Sequence, residues 1–149
     1  MSTDSWRIPD PRTQPDFYAD LPLKRLIAWI VDTAIVALIC LALVPLSAFA
    51  AVFFLPALML AVGFVYRVLT LARHSATWGM RLMAIEFRTL PGARFDLPMA
   101  LAHTFGFTLS CLVLPLQLLS IALMLSTPRG QGLSDHLLGT VAINRPAAA

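Results

Sequence analysis

The chemistry in this sequence centres on Asp32, the single charged side chain in the 41 residues from Leu26 through Tyr66. A carboxylate in so apolar a setting costs several kcal/mol unless it is protonated, hydrated or paired. Two chemistries answer that cost. Asp32 either pairs with an arginine of the middle segment, Arg67, Arg73 or Arg81, or sits in a hydrated pocket and takes up a cation or proton. Arg25 lies seven residues earlier, close to two helical turns, so the two side chains share a helix face with Trp29 between them. A second apolar run, Met99 through Ser126, has 28 residues without Asp, Glu, Lys or Arg and carries His103 beside Thr104. A lone histidine there reads as a packed hydrogen-bonding group, because no neighbour has metal-ligand spacing.

Familiar catalytic patterns are missing. The chain has no phosphate-binding glycine loop, no HExxH and no CxxC, and Ser134, Asp135 and His136 are adjacent in a way that spacing alone does not turn into a triad. The arginines lack the interleaved aromatics of a nucleic-acid platform. Cys40 and Cys111 both stand in apolar stretches, where a thiol behaves as a small hydrophobe, so no structural disulfide is expected. No enzymatic activity, cofactor or metal is expected from these residues.

The elements that must position them follow from composition. Of 149 residues 58% are hydrophobic and 13% charged, with a mean hydropathy of +0.78. A water-soluble fold of this size has too little interior for that much apolar surface, and the runs are membrane-sized. One 41-residue helix would be about 60 Å long, twice the hydrocarbon core, so the first run predicts two helices. They are placed at about 23–44 and 47–69, separated where Pro45 disfavours continuation and Ser47 can cap, with Pro56 read as a kink in the second. The run at 99–126, with a break near Pro115, is either one kinked span ending outside or a broken pair returning to the side it left. A strand in Gly139–Ile143 pairing with Leu82–Phe87 would accompany the second case.

The segment 67–98 carries five arginines against Glu86 and Asp96, whereas the turn around Pro45 carries no charge. The positive-inside rule therefore places this loop, Lys24 and Arg25 on the cytoplasmic side, and the N-terminus with them. Alternation over Leu82–Arg88, followed by the turn-forming Thr89–Phe95, predicts a short cytoplasmic β-hairpin. Residues 1–22, with four prolines and mixed charge, read as a flexible polar tail without the features of a signal peptide, and 144–149 as a second tail. The expected fold is an all-α membrane protein, a small bundle of three to four membrane segments with that hairpin, spanning 23–143.

Three separated stretches give this pattern a family likeness. LKRLIAWIVDTAIV holds Arg25 and Asp32; SATWGMRLMAIEF holds Thr77, Gly79 and Arg81; GQGLSDHLLGTVAI holds Asp135, Gly139, Thr140 and Val141. In this order, between these apolar runs, they resemble the RDD family of small bacterial membrane proteins, named for an arginine and two aspartates. Met80 stands where the family has lysine, and Ser134 where it has histidine. The resemblance implies a multi-pass protein of the bacterial cytoplasmic (inner) membrane associated with transport, ion exchange among the activities. On that reading Arg25, Asp32 and Asp135 form a polar cluster or ion path, supported by Arg67, Arg73, Thr77, Gly79 and Arg81 and by the tail residues Gly139 and Thr140. A second reading makes the chain an accessory or assembly subunit packed against a larger membrane complex. The partners expected are the lipid bilayer and a homo-oligomer or larger membrane complex, with no nucleic acid.

Overall fold

Helix α1, Leu21–Leu46, forms where an apolar run follows Pro22, which sits in the first turn and so costs no hydrogen bond. The computed structural model describes residues 7–145. Pro45 is absorbed in the last turn of α1 and does not end it at Val44, because only one amide bond is lost there. The turn that follows places Ala48 and Phe49 at positive φ. Ser47 does cap, but through its Oγ accepting from the Ala51 amide at 3.0 Å, at the start of a single tight turn, Ala50–Phe54. Helix α2 therefore begins at Leu55, not at Ser47, and runs to His74. Pro56 opens it instead of kinking it, and Arg67–His74 belongs to the helix rather than to the middle loop.

At about 1.5 Å per residue α1 is about 39 Å long and α2 about 30 Å, so each is long and apolar enough to cross a membrane. The third run is broken. Helix α3, Trp78–Leu82, and strand β1, Ile85–Thr89, come first, and helix α4, Leu97–Leu112, then meets helix α5, Leu114–Ser126, at a 115° bend. Pro115 lies in the first turn of α5, and neither arm alone matches a roughly 30 Å core. The chain thus returns to the end from which α4 set out. Helix α6, Leu133–Leu138, and strand β2, Thr140–Asn144, follow there.

Strand β1 pairs with β2, antiparallel, from Ile85 opposite Asn144 to Thr89 opposite Thr140. The local hairpin expected after Arg88 is replaced by this long-range pairing of β1 with β2. Thr89–Ala93 does turn, with the Thr89 amide bonded to the Ala93 carbonyl at 2.9 Å. The residues beyond it cannot return as a strand, because Asp96 caps α4 through the Met99 amide at 2.9 Å and Pro98 occupies its first turn. The apolar β1 residues Ile85 and Phe87 are buried together with Val141, Ala142 and Ile143.

Where it is described, the N-terminal stretch expected as a flexible polar tail over 1–22 is mostly exposed but is anchored at the buried Pro9 and Tyr18. A tight turn at Pro15–Tyr18 precedes α1, Tyr18 donates to the Pro9 carbonyl at 2.6 Å, and the Asn144 amide donates to the carbonyls of Asp16 and Ala19. Residues 1–6 lie outside the described residues, as do 146–149 of the second tail, whose first residue, Asn144, belongs to β2.

The buried core lies at this end, around Leu21, Ala28, Leu71, Phe87, Phe95 and Ile143. Away from it the helices expose large apolar side chains, among them Leu38, Leu41, Phe53, Val65, Leu114 and Leu125. Each such side chain left in water forfeits about 1.5–3 kcal/mol, which a bilayer restores.

Candidate functional site

Asp32 is buried on α1, facing α3. Its carboxylate accepts from the Thr77 hydroxyl at 2.5 Å, the Tyr66 hydroxyl at 2.7 Å and the Gly79 amide at 2.8 Å. Thr77 is the N-cap of α3 and accepts in turn from the Met80 amide, while Tyr66 accepts from the Trp78 amide. The carboxylate therefore sits on the amide end of a short helix, where exposed N–H groups favour negative charge. Gly79 is required by space: a Cβ there would lie 2.2 Å from the Ala28 carbonyl oxygen.

This replaces the expected ion pair. No arginine lies within ion-pair distance of Asp32 among the described residues. Arg73 and Arg81 are exposed, Arg81 with its guanidinium 5.9 Å from the Trp78 ring centre. Arg67 instead packs on the face of Phe107, 4.0 Å from the ring centre, and its Nε is buried without a hydrogen-bond partner.

The second centre is Asp135, fully buried in α6. One carboxylate oxygen accepts from Arg25 Nη1 at 2.7 Å and from the Gly132 amide at 3.0 Å; the other bonds His103 Nε2 and the Thr140 hydroxyl, both at 2.8 Å. Arg25 also donates to the Gly130 carbonyl at 3.1 Å, and its guanidinium lies 5.2 Å from the centre of Phe87. An ionised Asp135 only accepts, so His103 donates through Nε2, leaving Nδ1 as a buried atom without a partner. Burial alone would push the Asp135 carboxyl up. The Arg25 guanidinium and the His103 bond outweigh it and hold the group well below the usual carboxylate range. Gly139 ends α6 in the left-handed region, φ 64°, which turns Thr140 back onto Asp135.

The residues singled out from sequence thus form two centres. Thr77 and Gly79 gather on Asp32, and Arg25, Gly139 and Thr140 gather on Asp135. Tyr66 and Gly132 were not legible as partners: Tyr66 closes an apolar run, and Gly132 contributes only backbone. His103 was visible as a buried polar group, but its aspartate lies 32 residues away in sequence. Among the described residues no three His, Cys, Asp or Glu side chains converge as metal ligands.

A cavity of about 820 Å³ adjoins both centres, with Arg25, Asp32 and Arg67 in its wall and Leu26, Trp29, Phe107 and Ile121 around them. It occupies the space between α1 and α5, two helices that touch little directly.

Thr77→Val removes both the bond to Asp32 and the cap of α3. It is expected to cost about 1–3 kcal/mol, and Thr77→Ser less than about 1 kcal/mol, read as thermal unfolding midpoints of the purified protein in detergent.

No curated protein and no solved structure matches the chain. The model of the RDD family matches residues 20–139, a span that takes in Arg25, Asp32, the Thr77–Gly79 cradle and Asp135. With that match over most of its length, and with apolar helices of membrane-spanning length around the paired motifs, this chain belongs to the RDD family.

Proposed function

We propose that the chain is a multi-pass protein of the bacterial cytoplasmic membrane that takes part in transport of an ion or small solute and performs no enzymatic chemistry. The observation that carries this reading is the 820 Å³ cavity, which brings the charged side chains of Arg25, Asp32 and Arg67, with Asp20 beside them, into a mostly apolar wall. Asp32 and Asp135 have their oxygens engaged by fixed donors, so in this reading they hold the wall in place, and Arg67 is the group left to meet a solute.

The orientation follows from charge. Lys24, Arg25 and the arginines from 67 to 94 lie towards the sheet, and the turn joining α1 to α2 has no charge, which puts the N-terminus, α3, the sheet and α6 in the cytoplasm. Helices α1 and α2 cross, while α4 and α5 enter and return. In a background without Cys40 and Cys111, a membrane-impermeant maleimide is expected to label Ala50→Cys in intact spheroplasts. It should label Arg94→Cys and Leu137→Cys only after the cells are opened. Labelling of Leu137→Cys in intact spheroplasts would mean that α4 and α5 together cross.

The transport reading is tested in proteoliposomes carrying sodium, potassium or proton gradients and a pH-sensitive dye. A response above empty vesicles that is lost in Arg67→Gln, at an unchanged unfolding midpoint, supports it. A specific observation favours a second reading: the buried residues of α2, Val68, Thr70 and Leu71, all lie near its sheet end, and the rest of the helix keeps apolar surface that suits packing against a second copy or a larger membrane complex. Silence in every gradient, together with a stoichiometric partner co-purified from native membranes, favours that accessory role.

A further inference from the structure

We infer that the cavity between α1 and α5 binds an amphiphile with an oxyanion head, a phospholipid of the adjoining leaflet, with its phosphate on Arg67 and its chain along the apolar wall. The inference rests on the transport reading above and names the class of molecule that the same cavity takes.

Arg67 is the reason. Of the other charged groups in the cavity wall, Asp20 is exposed at the N-cap of α1, Arg25 is bonded to Asp135 and Gly130, and Asp32 has both oxygens occupied by Tyr66, Thr77 and Gly79. Past Asp20, a cation entering the cavity would meet a carboxylate with no free oxygen and two guanidinium groups opposing it. Arg67 differs. Its flat face is taken by Phe107, which engages none of its N–H donors, and its Nε is buried without a partner. A buried guanidinium N–H without a partner is costly, and a phosphate or carboxylate can take it in the two parallel bonds that the guanidinium fork offers. Asp32 shares the cavity and offsets the charge of Arg67 through space, but it supplies none of the missing hydrogen bonds. The donor geometry, more than the net charge of the wall, therefore selects an oxyanion.

The remainder of the wall selects the tail. Leu26, Trp29, Ile121, Met124 and Leu125 line the cavity. Of these, Leu26, Trp29 and Leu125 are 53%, 49% and 70% exposed, so the cavity continues onto the outer face of the bundle, where acyl chains lie in a bilayer. A small inorganic anion would satisfy Arg67 and leave that apolar channel unfilled.

Trp29 reports on the site. The full chain carrying Trp6→Phe and Trp78→Phe is purified in dodecyl maltoside, a detergent without an oxyanion, and titrated with dioctanoyl phosphatidylglycerol while Trp29 fluorescence is followed. A saturable change is expected. Arg67→Gln should weaken it by at least about tenfold, the loss of one charge-assisted hydrogen bond, and Arg67→Lys by less. Ile121→Trp, in the same background with Trp29 replaced by Phe and binding read by native mass spectrometry, narrows the channel with Arg67 intact and should also weaken it. Dioctanoylglycerol, which has the same chains and no phosphate, should not saturate, and octanoate should bind weakly through its carboxylate.

Equal binding by Arg67→Gln at a wild-type unfolding midpoint, or saturation by dioctanoylglycerol, overturns the proposal. Displacement of the lipid by millimolar inorganic phosphate overturns the amphiphile and assigns the site to a small anion. If Arg67→Gln does not fold, unchanged binding in Ile121→Trp overturns the placement of the chain. Binding without flux in any gradient defeats the transport reading and leaves this one standing. Flux lost in Arg67→Gln without lipid binding does the reverse.

Discussion

Asp135→Ala is expected to lower the unfolding free energy by about 3–5 kcal/mol, enough to deplete the folded protein in membranes. The substitution removes one side chain and strands several partners. Arg25 loses its one carboxylate partner among the described residues, and His103, Thr140 and the Gly132 amide each lose an acceptor in a buried site. Asp135→Asn keeps the shape but presents an amide where donors converge, and should fall between the two. The measurement is the unfolding midpoint in detergent, with the amount of extracted monomer as a second readout. An Asp135→Ala midpoint within error of the wild type would show that the ion pair does not hold α6 to α1. The pH dependence has a defined sign. Since the folded state holds this carboxyl below its ordinary value of about 3.9, its contribution is complete above that pH and is lost as the pH falls below it. The contribution of Asp135 should therefore be constant from neutral pH down to about pH 5.

Gly79→Ala is the second large effect, about 3 kcal/mol or more, from overpacking together with damage to the Asp32 cradle. The added carbon would stand 2.2 Å from the Ala28 carbonyl oxygen and 2.9 Å from Asp32 Oδ1. The first neighbour is helix backbone and does not swing aside. Helix α3 must move off α1, and the bonds from Thr77 and the Gly79 amide to Asp32 lengthen together. Gly63→Ala is the control. Its new carbon meets Val36 at 3.8 Å, an ordinary contact, so it should be neutral or up to about 1 kcal/mol stabilising through helix propensity. Comparable losses in the two variants would mean that Gly79 matters for conformation and not for close approach.

These two variants clarify what the three motif stretches do for one another. The first supplies both anchoring residues on α1, Arg25 and Asp32. The second closes on Asp32 through Thr77 and Gly79, and the third closes on Arg25 through Asp135, with Gly139 and Thr140 shaping its surroundings. Met80, which stands in place of a lysine, is buried among apolar residues and takes no part in either contact beyond its amide. The motifs thus act as two clasps from the sheet end of the molecule onto one helix, and Arg67 beside them is left with donors to spare.

Several features were legible before any coordinates. Asp32 had to face protein because an unpaired carboxylate is too costly in an apolar run, and the two long helices followed from counting residues against the width of a bilayer. The middle stretch and the tail each contained a visible strand, whereas α4, capped by Asp96, starts at Leu97, two residues before the run counted from Met99. Helix ends were less legible: Pro45 and Ser47 marked a boundary, but whether a proline breaks a helix or rides in its last turn depends on where the turn beyond it packs.

The identity of each partner belonged to the three-dimensional arrangement. An arginine was the natural counter-charge for Asp32, yet a tyrosine, a threonine and a backbone amide satisfy it. Hydrogen bonds from uncharged groups carry no signature in composition or spacing, and the Gly79 amide is not a side chain at all. The return of α4 and α5 was similarly undecided in one dimension, since 28 apolar residues fit either a tilted span or a bent pair. The bend brings Asp135 to Arg25 and β2 to β1, so pairings 110 and about 55 residues apart hold the tail at the end where the chain began. Burial periodicity and charge are local properties, and they determine that such helices form and which faces are apolar. Which buried donor finds which acceptor is set by how the helices close on each other, and that closure turned scattered polar residues into two fully engaged carboxylates and one arginine with an unpartnered Nε.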